Sequence, residues 1–254
     1  MPPRRLCSNR CRPTLLLQSS GFTLIELAIS MFIITLIATV LIGPITAQVT
    51  QAKISQAKAD LDQINESLIG FALAQGKPRL PCPDTNGDGT DDGCASTNAN
   101  ETTGGNIPWA TLGVPATDPW GQRYRYRVNN AYTNVAAGFT LSTTPTGPAC
   151  DPAAIVATGF LKVCATATCL TPPLPLPVLS TVLANGVPAI IYSLGPNGAI
   201  ASTSPDEIEN TNGDCLFISR TYSSGSGSEF DDLVVWVSPS VLLSRMVTAQ
   251  KLPN

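Results

Sequence analysis

The chain has 254 residues, room for one or two domains at roughly 100–200 residues each. Charged residues make up only 13% against about 25% in an ordinary soluble domain, while hydrophobic residues reach 43%, so apolar residues must be concentrated somewhere. Net charge is −3 and histidine is absent. The first argues against a non-specific nucleic-acid binder; the second removes a His-based triad, a zincin site and a His general base. Eight cysteines suggest an oxidising compartment, and 22 prolines with 20 glycines predict many turns.

The first 20 residues carry Arg4, Arg5, Arg10 and Arg12 with no acid to offset them. Gly21 follows, and then an apolar run of 21 residues, Phe22 to Ile42, interrupted by one charge, Glu26. About 20 apolar residues span a bilayer as a helix, and a basic flank stays cytoplasmic. A removable signal peptide would have a shorter apolar core of about 7–15 residues. A buried soluble helix would show a polar stripe, which this run lacks. A plain signal anchor leaves Glu26 without a purpose, since a carboxylate inside a bilayer costs roughly 2.5–3.5 kcal/mol on insertion scales. Cleavage between Gly21 and Phe22 would create an amine four residues from Glu26, on the same chain or a neighbour, able to neutralise it.

Gly21-Phe22-Thr23-Leu24-Ile25-Glu26-Leu27, with the basic leader before it and the apolar helix after, resembles the type IV prepilin signature shared by pilins and type II secretion pseudopilins. The resemblance implies cleavage after Gly21 by a prepilin peptidase, N-methylation of Phe22, and pairing of Glu26 with an N-terminal amine during filament assembly. It further implies other pilin or pseudopilin subunits, an inner-membrane assembly platform and membrane lipid as partners. The implied location is the bacterial inner membrane, single-pass, N-terminus cytoplasmic and head periplasmic, and then a filament. Nucleic acid is not expected, nor is an organic cofactor.

Gly43-Pro44 stands where the apolar run ends, and proline inside a helix costs about 3 kcal/mol or more, so a break or a local melting is expected there. Beyond it, Ile54, Ala57, Leu61, Ile64, Leu68 and Phe71 alternate spacings of three and four, which predicts an amphipathic helix from about Ile45 to Gln75. Gly76-Lys77-Pro78 stops it. The expected division is therefore leader 1–21, membrane and filament-core helix 22–42, amphipathic helix 43–78, and a β-rich head 79–254.

Asp84, Asn86 and Asp88 alternate before Gly89, copying the first half of a D-x-N-x-D-G calcium loop, with Asp91 and Asp92 as candidate further ligands in place of a bidentate Glu. A Cys82–Cys94 disulfide would close and pre-organise this loop. An ordinary solvated Asn-Gly/Asp-Gly turn is the other reading of the same residues. Further on, Asp118-Pro119-Trp120-Gly121 predicts a turn before a strand in which Tyr124, Tyr126 and Val128 face inward and Arg123, Arg125 and Arg127 outward. Other strand candidates are Phe139–Ser142, Ile155–Val163, Ala189–Leu194, Cys215–Ser219 and Leu233–Val237. Thr171–Pro177 reads as an extended proline-rich connection. Ser238 and Pro239 fit the cap and first turn of a short C-terminal helix anchored by Leu242, Leu243, Met246 and Val247.

The Asp-Pro-Trp-Gly turn with its tyrosine strand, Ser193-Leu194-Gly195-Pro196-Asn197-Gly198, and Asp231-Asp232 before the last strand also resemble the pseudopilin head. That likeness makes Asn197, Asp231 and Asp232 candidate ligands of a second structural calcium; acid-rich solvated loops are the alternative. The pairing of Cys150, Cys164, Cys169 and Cys215 stays open. The expected fold is α+β, one long N-terminal helix on an antiparallel sheet with a short C-terminal helix. The expected role is a structural filament subunit, a minor pilin or a pseudopilin, and not an enzyme: there is no G-x-S-x-G and no phosphate-binding Gly-Lys-Ser/Thr loop. A membrane-anchored binding module or adhesin, or an anchored enzyme, is the competing class.

Overall fold

Apolar side chains at helical spacing carry the first element, α1, from Leu24 to Ala74. The computed structural model describes residues 21–94, 104–145, 161–170, 182–198, 200, 202–223 and 229–252, and within α1 the side chains of 40–46 lie outside the description. The backbone stays helical through Gly43-Pro44, where a break was expected. Two compact units are present, Met1–Val49 and Thr50–Asn254.

In the first unit, the apolar side chains from Phe22 to Ile37 are exposed, with Phe22 at 78% and Leu24 at 90%. Ser30 and Thr35 return their hydroxyls to the carbonyls of Glu26 and Met31, so these polar groups need no solvent partner. Among the described residues, no helix is long and apolar enough to cross a membrane. The end of the 22–42 run falls on residues whose side chains are not described.

The second unit is layered. Its central sheet has the order β1-β2-β5-β7, all antiparallel, formed by β1 (Gly105–Asn106), β2 (Arg125–Val128), β5 (Ala189–Ser193) and β7 (Leu233–Trp236). On one face, Ile54, Ala57, Leu61, Ile64 and Leu68 of α1 are buried against Tyr124, Tyr126, Val128 and Ile191. The other face is covered by a smaller sheet of order β4-β3-β6, formed by β3 (Lys162–Cys164), β4 (Val182–Asn185) and β6 (Leu216–Ile218). There β3 pairs with β4 antiparallel but with β6 parallel, so the head is not wholly antiparallel. Val163 and Phe217 meet Ile190, Tyr192 and Val234 in a second apolar cluster. Strand β5 is therefore buried on both faces.

That second layer corrects the arginine row. Arg123 and Arg125 are exposed, but Arg127 is buried at 5%, its guanidinium 5.7 Å from the Phe217 ring centroid. The sequence reading assumed a solvated outer face; the β4-β3-β6 sheet covers part of it. Phe139–Ser142 is not a strand. Phe139 is buried beside Tyr132, and the Thr140 amide donates to Thr143 Oγ1 at 2.7 Å, closing a local turn that competes with a ladder. Of the Ile155–Val163 candidate, residues 155–160 lie outside the described residues, as do the proline-rich 171–177 stretch and 224–228.

Among the described residues the unit also holds the short α-helices α2 (Trp109–Leu112), α3 (Pro205–Glu209) and α4 (Pro239–Thr248). Leu242 and Met246 of α4 are buried in the core beneath α1, whereas Val247 is 44% exposed. Ser238 occupies the N-cap position of α4 without a capping hydrogen bond; its hydroxyl meets Ser240 Oγ instead. After α4, Lys251 Nζ donates to the Gln75 carbonyl at 3.0 Å, satisfying one of the free carbonyls at the end of α1.

Candidate functional site

Three groups of predicted residues can be placed. At the start of α1, Thr23 Oγ1 accepts from the Glu26 amide at 3.3 Å, and Glu26 Oε2 accepts from the Thr23 amide at 3.4 Å and its hydroxyl at 3.3 Å. This reciprocal arrangement is a capping box, and the Thr-x-x-Glu spacing that announces it was legible in the sequence but not used. Before any processing, Glu26 thus has local donors. Gly21 and Phe22 lie outside the helix and are exposed.

In the loop after α1, Cys82 and Cys94 form a disulfide with Cα atoms 5.2 Å apart. Inside it, single ligand oxygens of Asp84, Asp88 and Asp92 lie within 4.8 Å of one another. Asp84 is fully buried; its two oxygens accept from the Gly87 amide at 2.6 Å and the Gly89 amide at 3.2 Å. Asp92 accepts from the Thr85 amide and hydroxyl, both at 2.7 Å, and from Asn86 Nδ2. Asn86 Oδ1 is taken by the Asp88 amide. These donors matter for charge: hydrogen bonds from Thr90 hold the Asp88 carboxyl below its usual range, and those from Thr85 do the same for Asp92. Asp91 points elsewhere, to Arg79 Nη1 at 2.9 Å and the Cys82 amide at 3.2 Å. The loop is seated by Gly89, whose carbonyl accepts from the Ala110 and Thr111 amides of α2.

The third group is less exposed. Glu207 of α3 is 2% exposed and Asp232 3%. Asn197 Nδ2 donates to Glu207 Oε2 at 3.0 Å, the Asp231 amide donates to Glu207 Oε1 at 2.8 Å, and the Ser202 hydroxyl also donates to Oε2. Asp232 Oδ2 accepts from Asn210 Nδ2 at 2.7 Å, and Asp231 Oδ1 is buried without a hydrogen-bond partner among the described residues. Asn197, Glu207 and Asp232 line a cavity of about 250 Å³. Burial first, then the nearby Glu207 and Glu229 charges, push Asp231 up to about 7. Burial likewise raises Asp232 to about 7, with Glu207 and Asp231 adding to it. Glu207 connects Asn197 and Asp231, yet no spacing singles it out among the acids of 206–214, and only α3 turns it inward.

Of the remaining described cysteines, Cys164 and Cys169 are paired, and Cys215 is disulfide-bonded.

The family model for the prokaryotic N-terminal methylation motif matches residues 17–42 of this chain. The chain therefore carries the prepilin methylation motif, and the match includes Gly21, Phe22 and Glu26. The motif supports a type IV pilin-like prepilin substrate, implies processing by a prepilin peptidase and assembly with other pilins, and suggests a membrane-anchored, structural protein. No curated protein and no solved structure matches the chain.

Proposed function

We propose that the chain is a structural subunit, a minor pilin or a pseudopilin, of a type IV pilus-like or type II secretion filament. It is inserted in the inner membrane with its head periplasmic, is cleaved after Gly21, is N-methylated at Phe22, and polymerises through the first part of α1. The observation that carries this reading is the methylation motif at residues 17–42. Two features support it. The apolar side chains of the first unit are exposed and must be covered by lipid or by neighbouring helices. The free amine produced by cleavage would meet a carboxylate already turned toward the helix start. Mass spectrometry of the mature N-terminus tests it. A chain beginning with methylated Phe22 is expected; an intact Met1, or a start at Gln48, overturns the reading.

The head is further proposed to hold structural calcium. Asp84, Asp88 and Asp92 offer three carboxylate oxygens within 4.8 Å, the oxygen-only set a hard cation takes. Asn197 and Asp231, joined by Glu207, form with Asp232 a second candidate in which burial and neighbouring acid charge raise both aspartates. A higher melting temperature in calcium than in chelator is the expected result, and identical melting in the two rejects both sites.

A further inference from the structure

The segment 78–94 also holds an arrangement that cation binding does not use. Arg79 lies with its guanidinium 5.1 Å from the Phe71 ring centroid, on the last full turn of α1, and its Nη1 is 2.9 Å from Asp91 Oδ2. Asp91 Oδ1 accepts from the amides of Cys82 and Gly93, and the Asp91 amide donates to Thr111 Oγ1 of α2. Asp91 is enclosed in the ring that the Cys82–Cys94 bond closes. Residues 85–88 of that ring are exposed and held by polar contacts, so the disulfide is the covalent tie that, with the Gly89 seat and the Thr111 contact, fixes where Asp91 stands. We propose that the Cys82–Cys94 disulfide is a reducible latch: closed, it holds Asp91 against Arg79 and so pins the C-terminal turn of α1; opened by a dithiol, it frees that turn while the sheets stay folded.

The two sulfurs differ in access. Cys82 is 1% exposed, whereas Cys94 is half-buried at the surface of the loop. The Cys164–Cys169 bond lies in an apolar cluster with Ile218 and Phe230, with exposures of 0% and 5%. A dithiol thiolate therefore attacks Sγ of Cys94, forming a mixed disulfide and displacing the Cys82 sulfur, which leaves as a thiolate and takes a proton from solvent. The second thiol of the reductant then displaces Cys94. Two cysteine thiols and one oxidised dithiol result, with two electrons passed from reductant to protein. A loop with few buried apolar contacts opens more readily than the layered core beneath it.

The test uses the full chain in detergent micelles treated with dithiothreitol. Timed alkylation should label Cys82 and Cys94 before Cys164 and Cys169. Amide exchange over 71–80 should then rise about tenfold while 125–128 and 189–193 keep their protection. Earlier labelling of Cys164 or Cys169, unchanged exchange over 71–80, or simultaneous loss of sheet protection would each overturn the latch. An Asp91→Asn variant with the disulfide intact should also raise exchange over 71–80; no change there would show that the latch does not act through Asp91.

Discussion

Gly89 adopts φ +84°, and a Cβ placed on it would fall inside the Trp109 indole. Trp109 is also stacked by Arg123, 4.0 Å from its ring centroid, so moving the indole away disturbs that stack. Gly89→Ala should therefore cost about 1–3 kcal/mol, from left-handed strain plus the clash, read as a lower denaturation midpoint with altered tryptophan fluorescence. The buried acids set the pH response in chelator. Burial pushes Asp231, Asp232 and the half-buried Glu209 of α3 up to about 7 in the fold against about 4 when unfolded, so the native state holds extra protons between those values. Stability should then fall as pH rises from about 4 to about 7 and level off above it. Asp88 and Asp92, depressed in the fold, act oppositely and only as pH falls through the acid range. Calcium, by neutralising the cluster, should flatten the decline; denaturant midpoints at pH 5 and pH 8, with calcium and with chelator, check both signs, and a decline that calcium leaves unchanged would exclude the buried cluster as its site.

Between elements, the energetics lie where α1 meets the sheet and α4. Leu242 is fully buried beside Met246 against the α1 stripe, so Leu242→Ala should lower stability by about 2–5 kcal/mol. Val247, exposed on the same helix, should tolerate alanine within about 0.5 kcal/mol. Equal effects from the two would contradict the packing of α4, and equilibrium denaturation of both variants decides it. The same elements show what the sequence made legible. Period marked the later half of α1, α4 and β2, and short apolar runs between turn residues marked β5, β6 and β7, whereas the expected break at Gly43-Pro44 is absent from the backbone of α1. Strands β1 and β4 escaped. Gly105-Asn106 is two residues long with no apolar signal, and Val182–Asn185 alternates too briefly to stand out. Arg127 was misplaced because burial of a strand's second face depends on a distant layer, not on its own alternation. In the acid-lined sites, local spacing brought out Asp84, Asp88 and Asp92, while Glu207 meets Asn197 and Asp231 only through tertiary folding, which leaves no periodic trace.

For the molecule as a whole, cleavage after Gly21 would remove four arginines and leave 11 basic against 18 acidic side chains, shifting the net side-chain charge from −3 to −7. The new amine at Phe22 would then be the nearest cation to Glu26 in a stretch of exposed apolar side chains. Two roles of Glu26 can be separated. Its capping-box contact with Thr23 needs only an oxygen acceptor, which Gln also supplies. Neutralising an amine needs the negative charge. Glu26→Gln should therefore keep α1 folded and insert more readily, because a charge that costs roughly 2.5–3.5 kcal/mol in a bilayer is gone. Incorporation into filaments should nevertheless collapse, since the amine of each subunit loses its counter-charge. Glu26→Ala should lose the cap as well and fray the first turn. Comparing subunit in the membrane fraction with subunit in sheared filaments reads the two steps apart. A Gln variant that assembles like the parent would show that the carboxylate serves the helix start alone, and the filament reading would then have to stand without Glu26.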